Sequence, residues 1–211
     1  MIKHDVLSKA ACGLALLLGL AGSASAGAVY TLDIFNQPGS PPFGSVEVDL
    51  IDSTHATATF TSNTGGNYWF VDGGSAIVNV NATAWSLTNI TGDSASGSYA
   101  RAGTRVAGSL GSFNDSVDSP NASPSNRSST ISFELINLNG TWADDLSVLV
   151  ANADGYSVAA HVGFCPTGIN GDCTVTGFAG NTNPPLQVPE PGPVALLALG
   201  LLALGWTRRR A

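Results

Sequence analysis

Apolar and polar residues alternate with a period of two along most of the chain between residues 27 and 180. Such alternation is typical of β-strands with one buried and one solvent-facing side. The apolar members form successive short runs: Tyr30, Leu32 and Ile34; Val46, Val48 and Leu50; Ala56, Ala58 and Phe60; Val78, Val80 and Ala82, followed by Trp85 and Leu87; Ile131, Phe133 and Leu135; Leu146, Val148 and Val150; and Val158, Ala160, Val162 and Phe164. No stretch here has a helical period.

Turn signals separate these runs. Asp-Gly and Asn-Gly pairs favour tight turns, and they occur at Asp72-Gly73, Asn139-Gly140, Asp154-Gly155 and Asn170-Gly171. The polar stretch 111–129, with Pro120 and Pro124, is expected to be a long loop. The pattern predicts an all-β domain over residues 27–180, an antiparallel β-sandwich or jelly-roll-like structure.

The C-terminus lacks this alternation and is continuously apolar before a basic end. An apolar run from Gly192 to Trp206 is followed by Arg208, Arg209 and Arg210. A helix over Pro193–Trp206 is about 21 Å long, short of the roughly 30 Å hydrocarbon core. We expect a short transmembrane helix over 192–207, with the arginines as a cytoplasmic stop. A helix barely long enough to cross the membrane suits a segment that holds the protein there only until an enzyme removes it.

The residues before this helix are expected to be extended. Pro189 and Pro191 bracket Glu190, and each proline biases its predecessor away from helix, so Val188 and Glu190 are held extended. A processing enzyme can bind such a peptide. The residues 181–187, with Pro184-Pro185, are expected to be a linker.

The order of Val188-Pro189-Glu190-Pro191, apolar helix and arginine cluster over 188–211 resembles the PEP-CTERM sorting signal of exported bacterial proteins. The resemblance implies recognition of Pro189, Glu190 and Pro191 by an exosortase, a membrane-embedded cysteine transpeptidase. It also implies a Gram-negative bacterium that makes exopolysaccharide. An ordinary membrane anchor with a proline-rich stalk is the alternative.

The N-terminus has the layout of a signal peptide over residues 1–26. Lys3, His4 and Lys9 precede a short apolar core, and Ala24-Ser25-Ala26 is a small-x-small cleavage site. The mature chain is therefore expected to begin at Gly27. Cys12 lies within the apolar core and would be removed with it.

Removing both signals changes the charge of the protein. The full chain of 211 residues has a formal net charge of −7, from 15 acidic and 8 basic side chains. Both lysines and the three terminal arginines lie in the signals. Residues 27–191 keep only Arg101, Arg105 and Arg127, which gives about −11. Such a surface repels nucleic acid and anionic lipid, so we expect no nucleic-acid partner.

Two cysteines remain, Cys165 and Cys173. In an exported protein such a pair predicts a disulfide, and the turn-rich sequence between them lets the ends meet. A metal pair is the alternative, although His161 alone does not complete a ligand set.

The candidates for catalysis are sparse. His55 and His161 are expected on the polar faces of strands, and no Gly-x-Ser-x-Gly elbow locates a nucleophile. A glycosidase needs two carboxylates across a cleft. The domain has only Glu47 and Glu134 as glutamates, both expected at solvated strand positions.

Two features could serve binding instead. Asp144-Asp145 and the Asp115/Asp118 pair could supply oxygens to Ca²⁺, but neither has EF-hand spacing. The aromatic cluster Tyr68-Trp69-Phe70 could stack on sugar rings. Alternation places Tyr68 and Phe70 on one face and Trp69 on the other, so core packing is favoured for part of it.

Together these features predict a non-enzymatic exported protein of the cell surface or exopolysaccharide matrix, with no cofactor. Its expected partners are an exosortase-like enzyme, a transient membrane contact and an extracellular polysaccharide. A carbohydrate-binding or calcium-dependent adhesion module is the alternative, and a secreted hydrolase is a third hypothesis.

Overall fold

The computed structural model describes residues 27–94, 98–119, 127–168, 171–182 and 184–188. These residues form an all-β domain with antiparallel strand pairing and no α-helix among them. No helix within these ranges is long and apolar enough to cross a membrane. The predicted signal peptide (1–26) and transmembrane helix (192–207) lie outside the described residues.

Short strands make up the domain. They are β1 (Gly27–Leu32), β2 (Ile34–Phe35), β3 (Gly44–Asp52), β4 (His55–Ser62), β5 (Tyr68–Phe70), β6 (Ala76–Val78), β7 (Trp85–Gly92), β8 (Ala100–Arg101), β9 (Arg105–Val106), β10 (Ser112–Phe113), β11 (Asp115–Asp118), β12 (Thr130–Asn137), β13 (Val158–Phe164), β14 (Val175–Gly180) and β15 (Leu186–Val188). Single 3₁₀ turns cover Thr64–Gly66, Gly108–Leu110 and Asp145–Ser147.

The first sheet has the strand order β15-β1-β3-β4-β12-β7. Its register matches the alternation in the sequence, because buried residues lie opposite one another: Val46 pairs with Phe60, and Phe133 pairs with Ala58. The Thr-rich alternate positions of β4 lie on the outer face. Period-two patterning thus fixes which face of these strands is buried.

The second sheet has the order β2-β14-β13-β6-β11-β8, with β5 also paired to β13. The inward residues of both sheets form one hydrophobic cluster. Phe60 of the first sheet and Phe70 of the second meet edge to face, with ring centroids 6.2 Å apart. The architecture is therefore sandwich-like, and burial of this apolar surface, at roughly 25 cal/mol per Å², is its main source of stability.

A second, smaller hydrophobic cluster lies apart from this core. It contains Ile77 and Ala159 from the second sheet together with Ala107, Leu110 and Phe113. The last three come from the β9–β10 hairpin and the 3₁₀ turn between its strands. The segment 105–113 therefore covers part of the sheet face opposite the main core.

Two local predictions were wrong. The stretch 111–129, expected to be a loop, contains β10 and β11, and β11 lies between β6 and β8. The run Leu146, Val148 and Val150, expected to be a strand, begins in the 3₁₀ turn Asp145–Ser147. There the Asp144 side chain accepts from the Ser147 backbone N–H, while the Ser147 hydroxyl accepts from the Asp144 N–H. This capping box overrides the alternation.

Candidate functional site: the junction between domain and tail

The last described strand, β15, leads directly into the residues of the predicted sorting motif. It pairs antiparallel with β1, in the register Gly27 with Val188, Ala28 with Gln187 and Val29 with Leu186. We expected residues 181–187 to be a linker, but the structure extends the first sheet through 186–188. Alternation of Leu186 and Val188 about Gln187 was a possible signal for this strand, although three residues are too few to reveal it.

The domain residues next to the two predicted processing points pair with each other. Gly27, the expected first residue of the mature chain, is the cross-strand partner of Val188, the first residue of the sorting motif. Acidic side chains of β3 surround Gly27: a Cβ added there would lie 2.5 Å from Asp49 Oδ1 and 3.4 Å from Glu47 Oε1. A larger residue at this position would displace the Asp49 carboxylate.

The remaining residues of both signals lie outside the described residues. These are the cleavage-site residues Ala24 and Ala26, the motif residues Pro189, Glu190 and Pro191, and the stop residues Arg208, Arg209 and Arg210. The structure therefore describes the domain side of the junction.

Cys165 and Cys173 form a disulfide with an S–S distance of 2.01 Å between β13 and β14. Sequence reasoning missed a second restraint on this loop: the largely buried Arg127 guanidinium donates hydrogen bonds to the backbone carbonyls of Gly168 and Gly171. Burial lowers the pKa of Arg127, and the nearby Asp172 carboxylate opposes this shift. Covalent and polar contacts thus hold the loop.

The acidic candidates for calcium have other partners. The fully buried Asp115 carboxylate accepts hydrogen bonds from Arg101 and from the Trp85 indole N–H, the latter at 2.7 Å. Asp118 accepts from Arg105 at 2.7 Å. Sequence reasoning missed both arginine pairs.

The second acidic pair is also used within the domain. Asp144 caps the 3₁₀ turn, and the Asp145 carboxylate accepts from the Leu50 backbone N–H. In the described part of the chain no three His, Cys, Asp or Glu side chains are grouped as a metal site.

The two histidines lie in different sheets. His55 contacts Asp52 at the β3–β4 turn, with Nδ1 3.0 Å from the carboxylate. Hydrogen bonds from the Thr54 backbone and the His55 side chain hold the pKa of Asp52 well below its usual range. His161, expected to be exposed, is partly buried: its ring stacks on Phe178 at 4.8 Å and Nδ1 contacts the Asp72 carbonyl.

The two described glutamates, Glu47 and Glu134, lie on the outer face of the first sheet. Glu47 is exposed, and Glu134 accepts a 2.6 Å hydrogen bond from Asn89. These positions agree with solvated sites on strands rather than with a cleft.

The aromatic cluster divides as the alternation predicted. Tyr68 and Phe70 are buried in the core, whereas Trp69 lies on the opposite face and is only partly buried. A shallow cleft of about 470 Å³ lies beside Tyr68 and Phe164. Its described lining has no charged side chain: Pro38, Gly39, Ser40, Gly66, Tyr68, Phe164, Thr174 and Val175.

Comparison with known proteins identifies the tail. Residues 187–210 match the family model of the PEP-CTERM protein-sorting motif. The motif indicates an exported protein that is processed at a membrane, with an exosortase as the processing partner. The family match includes only the last two residues of the β-domain, and no curated protein and no solved structure matches the chain.

Proposed function

We propose that this chain is a non-enzymatic protein of the cell surface or exopolysaccharide matrix of a Gram-negative bacterium, with a β-sandwich or jelly-roll-like domain. A signal peptide over residues 1–26 exports it, and the helix 192–207 holds it at the inner membrane. An exosortase then acts at Pro189-Glu190-Pro191. The match of residues 187–210 to the sorting motif is the observation that carries this proposal.

The domain suits delivery to an extracellular surface. Its excess of acidic side chains keeps copies apart in solution. Its disulfide is typical of proteins that fold in an oxidising compartment. The absence of catalysis is proposed because the described histidines lie in different sheets and the two glutamates lie on strands rather than across a cleft.

A carbohydrate-binding or calcium-dependent adhesion module is the alternative role for the same domain. Sugar stacking needs an exposed aromatic face, but every described aromatic side chain is at least partly buried. Calcium needs several uncommitted oxygens, whereas Asp115 and Asp118 are bound to arginines. For these reasons we propose this role only as the second candidate.

The proposal is tested by intact-mass analysis of the protein expressed with and without an exosortase in an export-competent host. We expect a product that begins at Gly27 and ends between Val188 and Pro191, with any added adduct. The variant Glu190→Ala should keep the tail through Arg210. The variant Glu47→Ala, which removes an exposed carboxylate from the domain, should be processed like the wild type.

Either of two results would contradict the proposal. Retention of Arg208–Arg210 by the wild type in the presence of the enzyme would make the tail a stable anchor. Equal tail removal from the wild type and Glu190→Ala would show that the motif is not what the enzyme recognises.

A further inference from the structure

The strand β15 is weakly attached to the domain. It has three residues and lies at the edge of the first sheet, paired on one side only with β1. Two of its side chains add little burial, since Leu186 is 69 % exposed and Gln187 is also exposed. Pro184 and Pro185 precede it and have no backbone N–H to extend the pairing. Such an element opens at low free-energy cost.

This strand is also directly adjacent to the sorting motif. Val188 ends β15, and Pro189 is the next residue, so no spacer separates the sheet from Pro189-Glu190-Pro191. A partner can bind an extended peptide through main-chain hydrogen bonds, as when the peptide adds a strand to the edge of a sheet. Some backbone groups of residues 186–188 bond to β1, so an enzyme that bound this segment in the same way would compete with β1.

We propose that β15 is a detachable edge strand and that its release from β1 gives the processing enzyme access to the sorting motif. This inference rests on the proposed function, in which an exosortase acts on the tail. The form that the enzyme binds is then the domain with residues 186–188 detached. Processing is limited by the fraction of molecules in this form, because the apparent affinity falls in proportion to that fraction.

A reversible cross-link between the strands tests the inference. Val29 and Leu186 are register partners, and such antiparallel neighbours have Cα atoms about 4.5–5.5 Å apart, within the range that a disulfide spans. In the full chain carrying Val29→Cys and Leu186→Cys, we expect oxidation to slow tail removal about tenfold or more relative to the reduced form. The wild type with and without reductant controls for reduction of Cys165–Cys173, and each single variant controls for the substitutions.

A second variant separates restricted access from misfolding. Insertion of Gly-Ser-Gly-Ser-Leu-Gln-Val after Val188 moves the motif away from the cross-linked strand and keeps the residues that precede Pro189. We expect this insert to restore tail removal while the cross-link is intact. Equal rates for the oxidised and reduced pair without the insert would overturn the inference. Failure of the insert to restore the rate would also overturn it.

The outcome for Glu190→Ala distinguishes the two proposals. If the wild type is not processed, or is processed without regard to Glu190, the proposed function fails. If processing of the wild type depends on Glu190 and the cross-link has no effect, the proposed function stands and only the role of β15 is rejected.

Discussion

At the residue scale, each of the three arginines of the domain bonds to an acidic side chain or to backbone carbonyls. Arg101 bonds to Asp115, whose side chain is fully buried, while 41 % of the Arg101 side chain is exposed. Arg105 bonds to Asp118, and these side chains are 28 % and 34 % exposed. The shortest N···O distances of the two ion pairs are similar, 2.8 and 2.7 Å, but the two carboxylates differ in solvation, so the pairs can be compared.

We expect Arg101→Ala to lower the free energy of unfolding by about 3 kcal/mol, because it leaves a buried carboxylate without its cation. Arg105→Ala should cost about 1 kcal/mol or less, since water can solvate the partly exposed Asp118. Urea unfolding followed by tryptophan fluorescence measures both. Equal losses for the two variants would show that burial of Asp115 does not set the strength of its pair.

At the scale of elements, the strands that the sequence predicted well are those with long, regular alternation. β4 and β12 bury every second side chain against one core, and β3 does so as far as Val48, so the pattern of each strand is visible from its own sequence. Within 111–129 the strands are only two to four residues long. At Asp145–Ser147 a local capping box competes with alternation. Short or locally capped segments give no periodic signal that decides their structure.

The loop between β13 and β14 gives a prediction at the same scale. Replacing both Cys165 and Cys173 by Ser should lower the free energy of unfolding by about 2–3 kcal/mol, because the open loop has more conformational freedom in the unfolded chain. Thermal unfolding of the double variant and of reduced wild type should give the same midpoint. A midpoint equal to that of the oxidised wild type would show that the Arg127 contacts alone fix the loop.

At the scale of the whole molecule, the sorting motif was readable from the sequence because its three parts are contiguous. The pairing of β15 with β1 could not be predicted from the sequence, because it brings together the two ends of the domain. Nothing near Gly27 in the sequence indicates that it pairs with Val188. Likewise the bond between Trp85 and Asp115 depends on how the sheets pack. Motifs formed by contiguous residues can be predicted from such a sequence. Contacts between residues far apart in the sequence can be identified only from the folded structure.

Because Gly27 pairs with Val188, the first and last residues of the domain lie next to each other. A short Gly/Ser peptide could join these residues, and the chain could be reopened at the exposed turn between Asn139 and Gly140. Domains with neighbouring termini usually accept such circular permutation. We expect the permuted domain of residues 27–188 to unfold cooperatively, with its β-sheet circular dichroism unchanged. The order in which the strands are synthesised would then be dispensable for this fold, and only their final contacts would specify it.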